Sequence, residues 1–582
     1  SAMTANQPQT DPIAMLTGPG GAFEVVTEDV LGVELQVYKS RMTQLRQICD
    51  LAAARGDATF LVQGERRLTF AQTVSQIRVV AANLLATGLA PGDRMAVLSA
   101  NSIEWVVTFW AAAAAGIVCV PLNAWWKTEE LAFALEDSGT RMVVCDLRRY
   151  ELIRDVPTQI PTLERIFVVG GDDQMGSQSS VESFEQLLVG EDPGVMPDVA
   201  IDEDDICGIF YTSGTTGKPK GATITNRQVI ANLQNLMVLA IAGSMRGQAS
   251  PELGGGGQPA SLLIVPLFHT TGCHATMIPA FGSGSKLVLM PPGRFDPEFA
   301  MKMVQDEAVT SMGGVPTIVA RIVNHPEREN YDLSSVTRIS YGGAPCAPEL
   351  AMRIAEAFPR AKAGLTQAYG LTESASVATV NAGEDYLTHP TSAGRAVPTV
   401  EIKIADDAGR EVAVGEQGEI WLRGPTTSGR GYWNRPDANA VSYTDGWFHT
   451  GDIGKLDDEG FLYIVDRAKD MIIRAGENVY CVEIENVLAE HPDIAEAAIV
   501  GVPHVELGEE VKAVVVLAAG AHLDRDAVRE FCAARLANFK VPEYVEFVTE
   551  PLPRNPAGKI LKQLLRGEAS SFAVAGDSDS AL

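Results

Sequence analysis

The stretch Tyr211–Gly221, YTSGTTGKPKG, follows the apolar run Ile206–Phe210, ICGIF, which reads as a short buried strand. A loop rich in glycine, hydroxyls and lysine is either a polar turn or a cradle for phosphate. The familiar nucleotide loop, G-x-x-x-x-G-K-[ST], leads straight into a helix whose N-terminus holds the anion. Here only two residues separate Gly214 from Gly217, and Lys218 is followed by Pro219 instead of Ser or Thr. Proline also disfavours helical backbone in the residue before it. The spacing therefore excludes a P-loop NTPase, while four hydroxyls (Thr212, Ser213, Thr215, Thr216), the glycines, Lys218 and Lys220 still suit a polyphosphate.

Around this loop, β-rich runs alternate with amphipathic helical patterns from about residue 60 to 350. RMAVLSA, RMVVCDL, RIFVVGG, ICGIFYT, SLLIVPL and KLVLMP read as buried strands. A helix is predicted from Thr69, with Gln72 completing a capping box, to a stop at Gly88. Trp105–Leu122 is nearly long enough to span a membrane, but Gly116 and Pro121 interrupt it, so a buried helix followed by a buried strand is predicted. The alternation gives an α/β fold with largely parallel sheet. From Glu401 to about Val465 closely spaced strands suggest a β-rich subdomain. A compact tail follows, with a helix near 483–490, strands EAAIVGV and VKAVVVLA, and a helix over 524–537. Residues 243–260 read as a flexible surface insertion.

At 582 residues the chain needs two or more cores. With 74 acidic against 46 basic side chains, a net charge of −28, and no basic block, it is not expected to bind nucleic acid. The eight cysteines are scattered without a C-x-x-C pair, as expected of thiols in a reducing compartment, and a cytoplasmic location is predicted. No signal peptide is read at the start. The opening Ser-Ala-Met resembles a cloning remnant, residues 1–20 are expected to be disordered, and so are 571–582.

Four later segments bear on the loop. YGGAP (Tyr341–Pro345) and QAYGLTES (Gln367–Ser374) each follow strand-like runs, TGD (Thr450–Asp452) precedes one, and NPAGKILK (Asn555–Lys562) lies near the C-terminus. With YTSGTTGKPKG, this ordered set resembles the adenylate-forming superfamily of acyl-CoA synthetases, peptide-synthetase adenylation domains and firefly luciferase, over roughly residues 40–566. The resemblance implies a large N-terminal adenylation domain over 21–466, built of mostly parallel sheets flanked by helices plus the β-rich subdomain. It also implies a small mobile α+β domain over 467–570. The implied reaction has two halves: a carboxylate attacks the α-phosphate of ATP to give acyl-AMP and pyrophosphate, then the thiol of coenzyme A displaces AMP.

The resemblance also implies roles. Thr212, Ser213, Gly214, Thr215, Thr216, Gly217, Lys218 and Lys220 would grip phosphates. Gly343, Ala344 and Pro345 would form a slot beside adenine, with Gln367, Tyr369 and Gly370 on the nucleotide and Tyr369 stacking on the base. Thr372 would bond a phosphate oxygen and Glu373 would hold Mg²⁺. Asp452 would accept from the ribose hydroxyls, assisted by Arg467. Lys559 would be the adenylation catalyst. Lys469 would be a hinge whose rotation withdraws Lys559 and brings Gly476 and Glu477 to a coenzyme A tunnel.

In PLFHTTGCH (Pro266–His274), His269 stands where amino-acid-activating relatives carry Asp, so an α-amino acid is not expected. His269 resembles an aromatic gate for the acid. Cys273 and His274 have poor metal spacing and no zinc is expected. Met277, Ile278, Ala280, Phe281, Gly313 and Val315 are candidates for an acyl pocket or plain core. The leading expectation is an ATP- and Mg²⁺-dependent ligase joining a hydrophobic acid, foremost a fatty acid, to coenzyme A. Transfer to an acyl carrier protein, or an aryl or sterol-derived acid, are the alternatives, and no insertion after the hinge favours coenzyme A. Luciferase-type oxygenation ranks below these, since it needs a special acid of which the pocket gives no sign, and so does a catalytically dead scaffold, since Lys559 and Glu373 are both present. A homodimer is left open.

Overall fold

The computed structural model describes residues 11–171, 180–212, 218–247, 257–314, 316–341, 348–475, 477–555 and 559–567. Ser213–Gly217, Gly343–Pro345, Val315 and Gly476 lie outside them.

Two large sheets form the N-terminal part. In the seven-stranded sheet, Arg94–Leu98, Val118–Pro121, Met142–Asp146 and Arg165–Val169 run parallel, and Ile206–Thr212 joins Val118–Pro121 in the same sense. In the nine-stranded sheet, Ala260–Leu263, Lys286–Leu289, Ser311–Gly314, Arg338–Tyr341 and Leu365–Tyr369 are parallel neighbours. All six runs read from the sequence as buried strands are strands.

Local chemistry fixes the helices between them. Phe70–Ala86 starts at Thr69, whose side chain accepts from the Gln72 amide while Gln72 reaches back, and Gly88 turns away at φ +105°. Ile103–Ala115 is capped by Ser102 and ends at Gly116, which holds left-handed backbone at φ +71°, where a side chain would be strained. Val118–Pro121 follows as the buried strand. The aromatic core between the sheets stacks Phe60, Phe70, Trp110 and Phe281. Met277, Ile278 and Phe281 are fully buried there, so they are core and not pocket wall.

Among the described residues one helix, Asn226–Met245, is long and apolar enough to cross a membrane. Its polar residues are tied into the fold: Arg227 pairs with Asp204 at 2.7 Å, Gln228 donates to the Thr426 carbonyl at 2.9 Å, and Asn232 donates to the His274 carbonyl at 3.3 Å. It is a core helix. It also runs through Met245, so the first part of the expected flexible insertion is helical; 248–256 lie outside the described residues.

The expected β-rich region is a five-stranded antiparallel sheet over Glu401–Arg467. Thr450–Asp452 does not precede a strand but sits inside one, Trp447–Leu456, at a bulge opposite Ile420. Gly451 takes φ +73°, and Thr450 Oγ1 donates to the Ile420 carbonyl at 2.7 Å, a local break in the pairing just before Asp452. The C-terminal sheet is built on the long hairpin Ile494–His504 and Gly508–Leu517, covered by Cys481–Ala489 and Arg525–Ala533. The second of these helices ends four residues before the 524–537 pattern suggests.

Candidate active site

The parallel strands of the nine-stranded sheet all end on one side, where ligands collect in open α/β sheets. A cavity of about 1700 Å³ opens there, roomy enough for a nucleotide and an acid together. The C-terminal residues Arg554, Asn555, Lys559 and Lys562 close part of its wall.

Ile206–Thr212 pairs antiparallel with Lys220–Thr225, so the motif leads into a strand and not into a helix. Thr212 and Lys220 border the cavity, and Lys220 Nζ lies 4.6 Å from the centre of the Tyr432 ring. Lys218 is not brought in: it is exposed and sits 4.9 Å over Phe133.

Leu365–Tyr369 delivers the next group. Thr366 and Ala368 face the cavity; the period of two turns Gln367 to the other face, so it does not border the cavity as expected. Tyr369 ends the strand and donates its hydroxyl to Asp452 at 2.6 Å. Burial, then the Asp452 charge, push the Tyr369 phenol well up. At Gly370 an added Cβ would lie 1.5 Å from the Ser376 carbonyl oxygen, so only glycine fits this turn. Thr372–Ser374 form a single 3₁₀ turn with Thr372 and Glu373 on the cavity. It is anchored behind by an αL Ala375, whose carbonyl meets His274 Nδ1 at 2.8 Å.

Asp452 is 8% exposed and stands opposite Arg467 across the strand pair, 3.9 Å from its Nε. Lys559 is tied to Asn555: its amide donates to Asn555 Oδ1 at 2.9 Å, and its carbonyl accepts from the Asn555 amide at 2.8 Å. Burial and the nearby Arg467 push the Lys559 ammonium down to about 8, against the pull of the Asp452 and Glu373 carboxylates. His269 borders the same space and is pushed down to about 4 by burial, then by Lys559 and His274. It is therefore a neutral imidazole at working pH. The site thus brings together Thr212, Lys220, His269, Tyr369, Thr372, Glu373, Asp452, Arg467 and Lys559.

Lys469 borders the cavity in the turn after Leu462–Arg467. Glu477 is exposed and outside the cavity. Ala280 and Gly313 also line the cavity. Among the described residues, the group with metal-ligand spacing, His389, Asp457 and Glu459, lies away from the cavity.

Tyr432 went unnoticed in the sequence. It donates to Glu373 Oε1 at 2.7 Å and is seated by a bridge to Ala222 and by Thr223 donating to the Gly431 carbonyl. The signal was an aromatic pair between glycine and asparagine, GYWN, in a loop otherwise free of apolar residues.

Profiles of known families match this architecture: AMP-binding enzyme over residues 50–433 and AMP-binding enzyme C-terminal domain over 483–559. The 3-[(3aS,4S,7aS)-7a-methyl-1,5-dioxo-octahydro-1H-inden-4-yl]propanoyl:CoA ligase of Rhodococcus jostii (strain RHA1) is 37% identical over 88% of this chain and 96% of its own. The long-chain-fatty-acid–CoA ligase FadD13 of Mycobacterium tuberculosis is 35% identical over 87% and 94%. The anthranilate CoA ligase AuaEII, solved with anthranoyl-AMP, superposes with a TM-score of 0.81 at 26% identity, over 90% of this chain and 96% of that one. The chain belongs to the AMP-binding enzyme family and is an adenylate-forming acid–thiol ligase, an acyl-CoA synthetase.

Proposed function

We propose that this synthetase activates a carboxylic acid with a largely hydrophobic body, and that Lys559 catalyses the first half-reaction. The observation that carries the reading is the Lys559 ammonium, half-buried in the cavity between the carboxylates Asp452 and Glu373 and the neutral His269. An acid carboxylate entering past His269 attacks the α-phosphorus of ATP. A P–O bond forms, the bond to the β-phosphate oxygen breaks, and pyrophosphate leaves. Negative charge grows on the α-phosphate oxygens, and a cation already fixed there stabilises it without reorganisation.

Asp452 accepts from the ribose hydroxyls while the Tyr369 ring packs on adenine. Thr372 donates to a phosphate oxygen, and Lys220 meets the pyrophosphate side together with the hydroxyl loop. Glu373 suits Mg²⁺: it is a hard carboxylate with one oxygen steadied by Tyr432, beside the phosphate-facing Thr372, and Mg²⁺ often takes one or two carboxylates plus substrate phosphates. When bound, the ion neutralises phosphate charge. In the second half the coenzyme A sulfur attacks the acyl carbon and AMP departs with the carbon–oxygen electron pair. Exposed Glu477, remote from the cavity, fits a unit of residues 467–570 that pivots near Lys469 between the halves. Seven described cysteines, all free, support a reducing, cytoplasmic setting, and a fatty tail is one of the bodies to be tested.

The test is pyrophosphate release across a panel of carboxylic acids, with and without coenzyme A. Acid-dependent release, followed by a thioester only when coenzyme A is present, is expected. Release that stalls at acyl-AMP in the presence of coenzyme A contradicts the thiol assignment.

A further inference from the structure

We propose that the acid carries oxygen functions, ketone or hydroxyl, on a compact body, held by a floor of hydroxyls made by Ser261, Ser311, Ser340 and Thr366. The inference rests on the acyl-CoA ligase reading and deepens it.

The floor follows from strand alternation. In Ala260–Leu263, Ser311–Gly314 and Arg338–Tyr341, the residues Leu262, Met312, Ile339 and Tyr341 point into the core behind the sheet. Their neighbours Ser261, Ser311 and Ser340 therefore face the cavity, and Thr366 joins them from the next strand. The hydroxyls are matched across strands: Ser261 stands opposite Ser311, and Ser340 opposite both Gly313 and Thr366. Neighbouring strands are about 4.8 Å apart, and the two rows are two residues, roughly 7 Å, apart along the strands. That grid has the scale of a fused ring system. Ser311 and Thr366 each lie three residues, roughly 10 Å, before the strand ends Gly314 and Tyr369, toward which the reacting carboxylate lies.

None of these four hydroxyls has a hydrogen-bond partner among the described residues. Gly313 keeps the floor open, because a Cβ there would come 2.8 Å from the Ser340 carbonyl oxygen and stand over its side chain. Leu236, Leu239, Val377 and Val380 give this arm apolar walls, and Arg338, opposite Ser311, adds a charged donor at the edge of the floor. A plain alkyl body would satisfy the walls but strip water from four hydroxyls and offer nothing in return. A body apolar on its sides and oxygenated on one face satisfies both. A site built to bond substrate oxygens rejects the analogue lacking them far more strongly than an apolar pocket sorts by size.

The experiment uses the full-length enzyme with ATP and coenzyme A, measuring pyrophosphate release with 3-(decahydronaphthyl)propanoate, its dioxo counterpart and decanoate. The dioxo acid is expected to have at least a ten-fold higher kcat/KM than its hydrocarbon twin. Ser311→Ala and Ser340→Ala, which keep the backbone and nearly the volume, are each expected to lower kcat/KM for the dioxo acid about 3- to 10-fold more than for the hydrocarbon acid. Hydrocarbon acids turned over as well as the dioxo acid, or serine variants that weaken both acids equally, overturn the inference and leave the ligase reading standing. No pyrophosphate release with any of the acids overturns both.

Discussion

Replacing Asp452 by Asn tests the electrostatics of the site, because it removes one negative charge while nearly preserving shape. In the native site Lys559 is pushed down to about 8 by burial and by Arg467, and Asp452 is the first of the charges resisting that fall. On the catalytic role proposed for Lys559 its protonated form is the active one, so kcat/KM for ATP, which reports groups of the free enzyme, is expected to decline as pH rises through about 8. Deleting an opposite charge among the close neighbours of an ionisable group typically moves it by a factor of ten or more in proton affinity. In Asp452→Asn the midpoint should therefore drop to about 7 or lower. At pH 7.5 the protonated share then falls from about three-quarters to about one-quarter, a three-fold loss from titration alone. Loss of the proposed ribose acceptor is expected to add a pH-independent rise in the KM for ATP. The assay is pyrophosphate release over pH 6–9.5 at saturating acid. A variant whose alkaline midpoint stays at the native value, with only the KM changed, refutes the charge argument.

Tyr432→Phe leaves Glu373 without its 2.7 Å donor and should raise the Mg²⁺ concentration for half-maximal pyrophosphate release about 3- to 10-fold, measured by Mg²⁺ titration. His269 is pushed down to about 4, so it loses its proton well below the working range and the native pH profile should show no limb near 6.5. A limb there that vanishes in His269→Phe contradicts the neutral-gate reading. Thr69→Ala removes the cap of Phe70–Ala86 and should cost about 1 kcal/mol by urea unfolding.

Much of the fold was legible because it rests on local chemistry. The Thr69–Gln72 box, the Gly116 stop and the alternating β runs each announce themselves within a few residues. The ordered motifs single out Thr372, Glu373, Asp452, Arg467 and Lys559, which come from distant parts of the chain and border one cavity. Gln367 does not border the cavity, because belonging to a motif says nothing about which face of a strand a residue takes. Lys218 was misread because a lysine two residues before a strand can turn to an aromatic ring outside the loop. Tyr432 was missed since its partner Glu373 lies 59 positions away and no local pattern pairs them. The hydroxyl floor was invisible for a related reason: its serines line up only once separate strands are set in register.

The most direct test of the central claim is to split the two half-reactions in Lys559→Ala. With the ammonium gone, pyrophosphate release should fall by at least about a hundred-fold, in the range of losing one preorganised donor to a developing oxyanion. Thioester formation from supplied acyl-AMP and coenzyme A should stay within about three-fold of the native rate, since the role proposed for Lys559 is confined to the first step. Equal losses in both halves, or adenylation at the native rate, contradict the account.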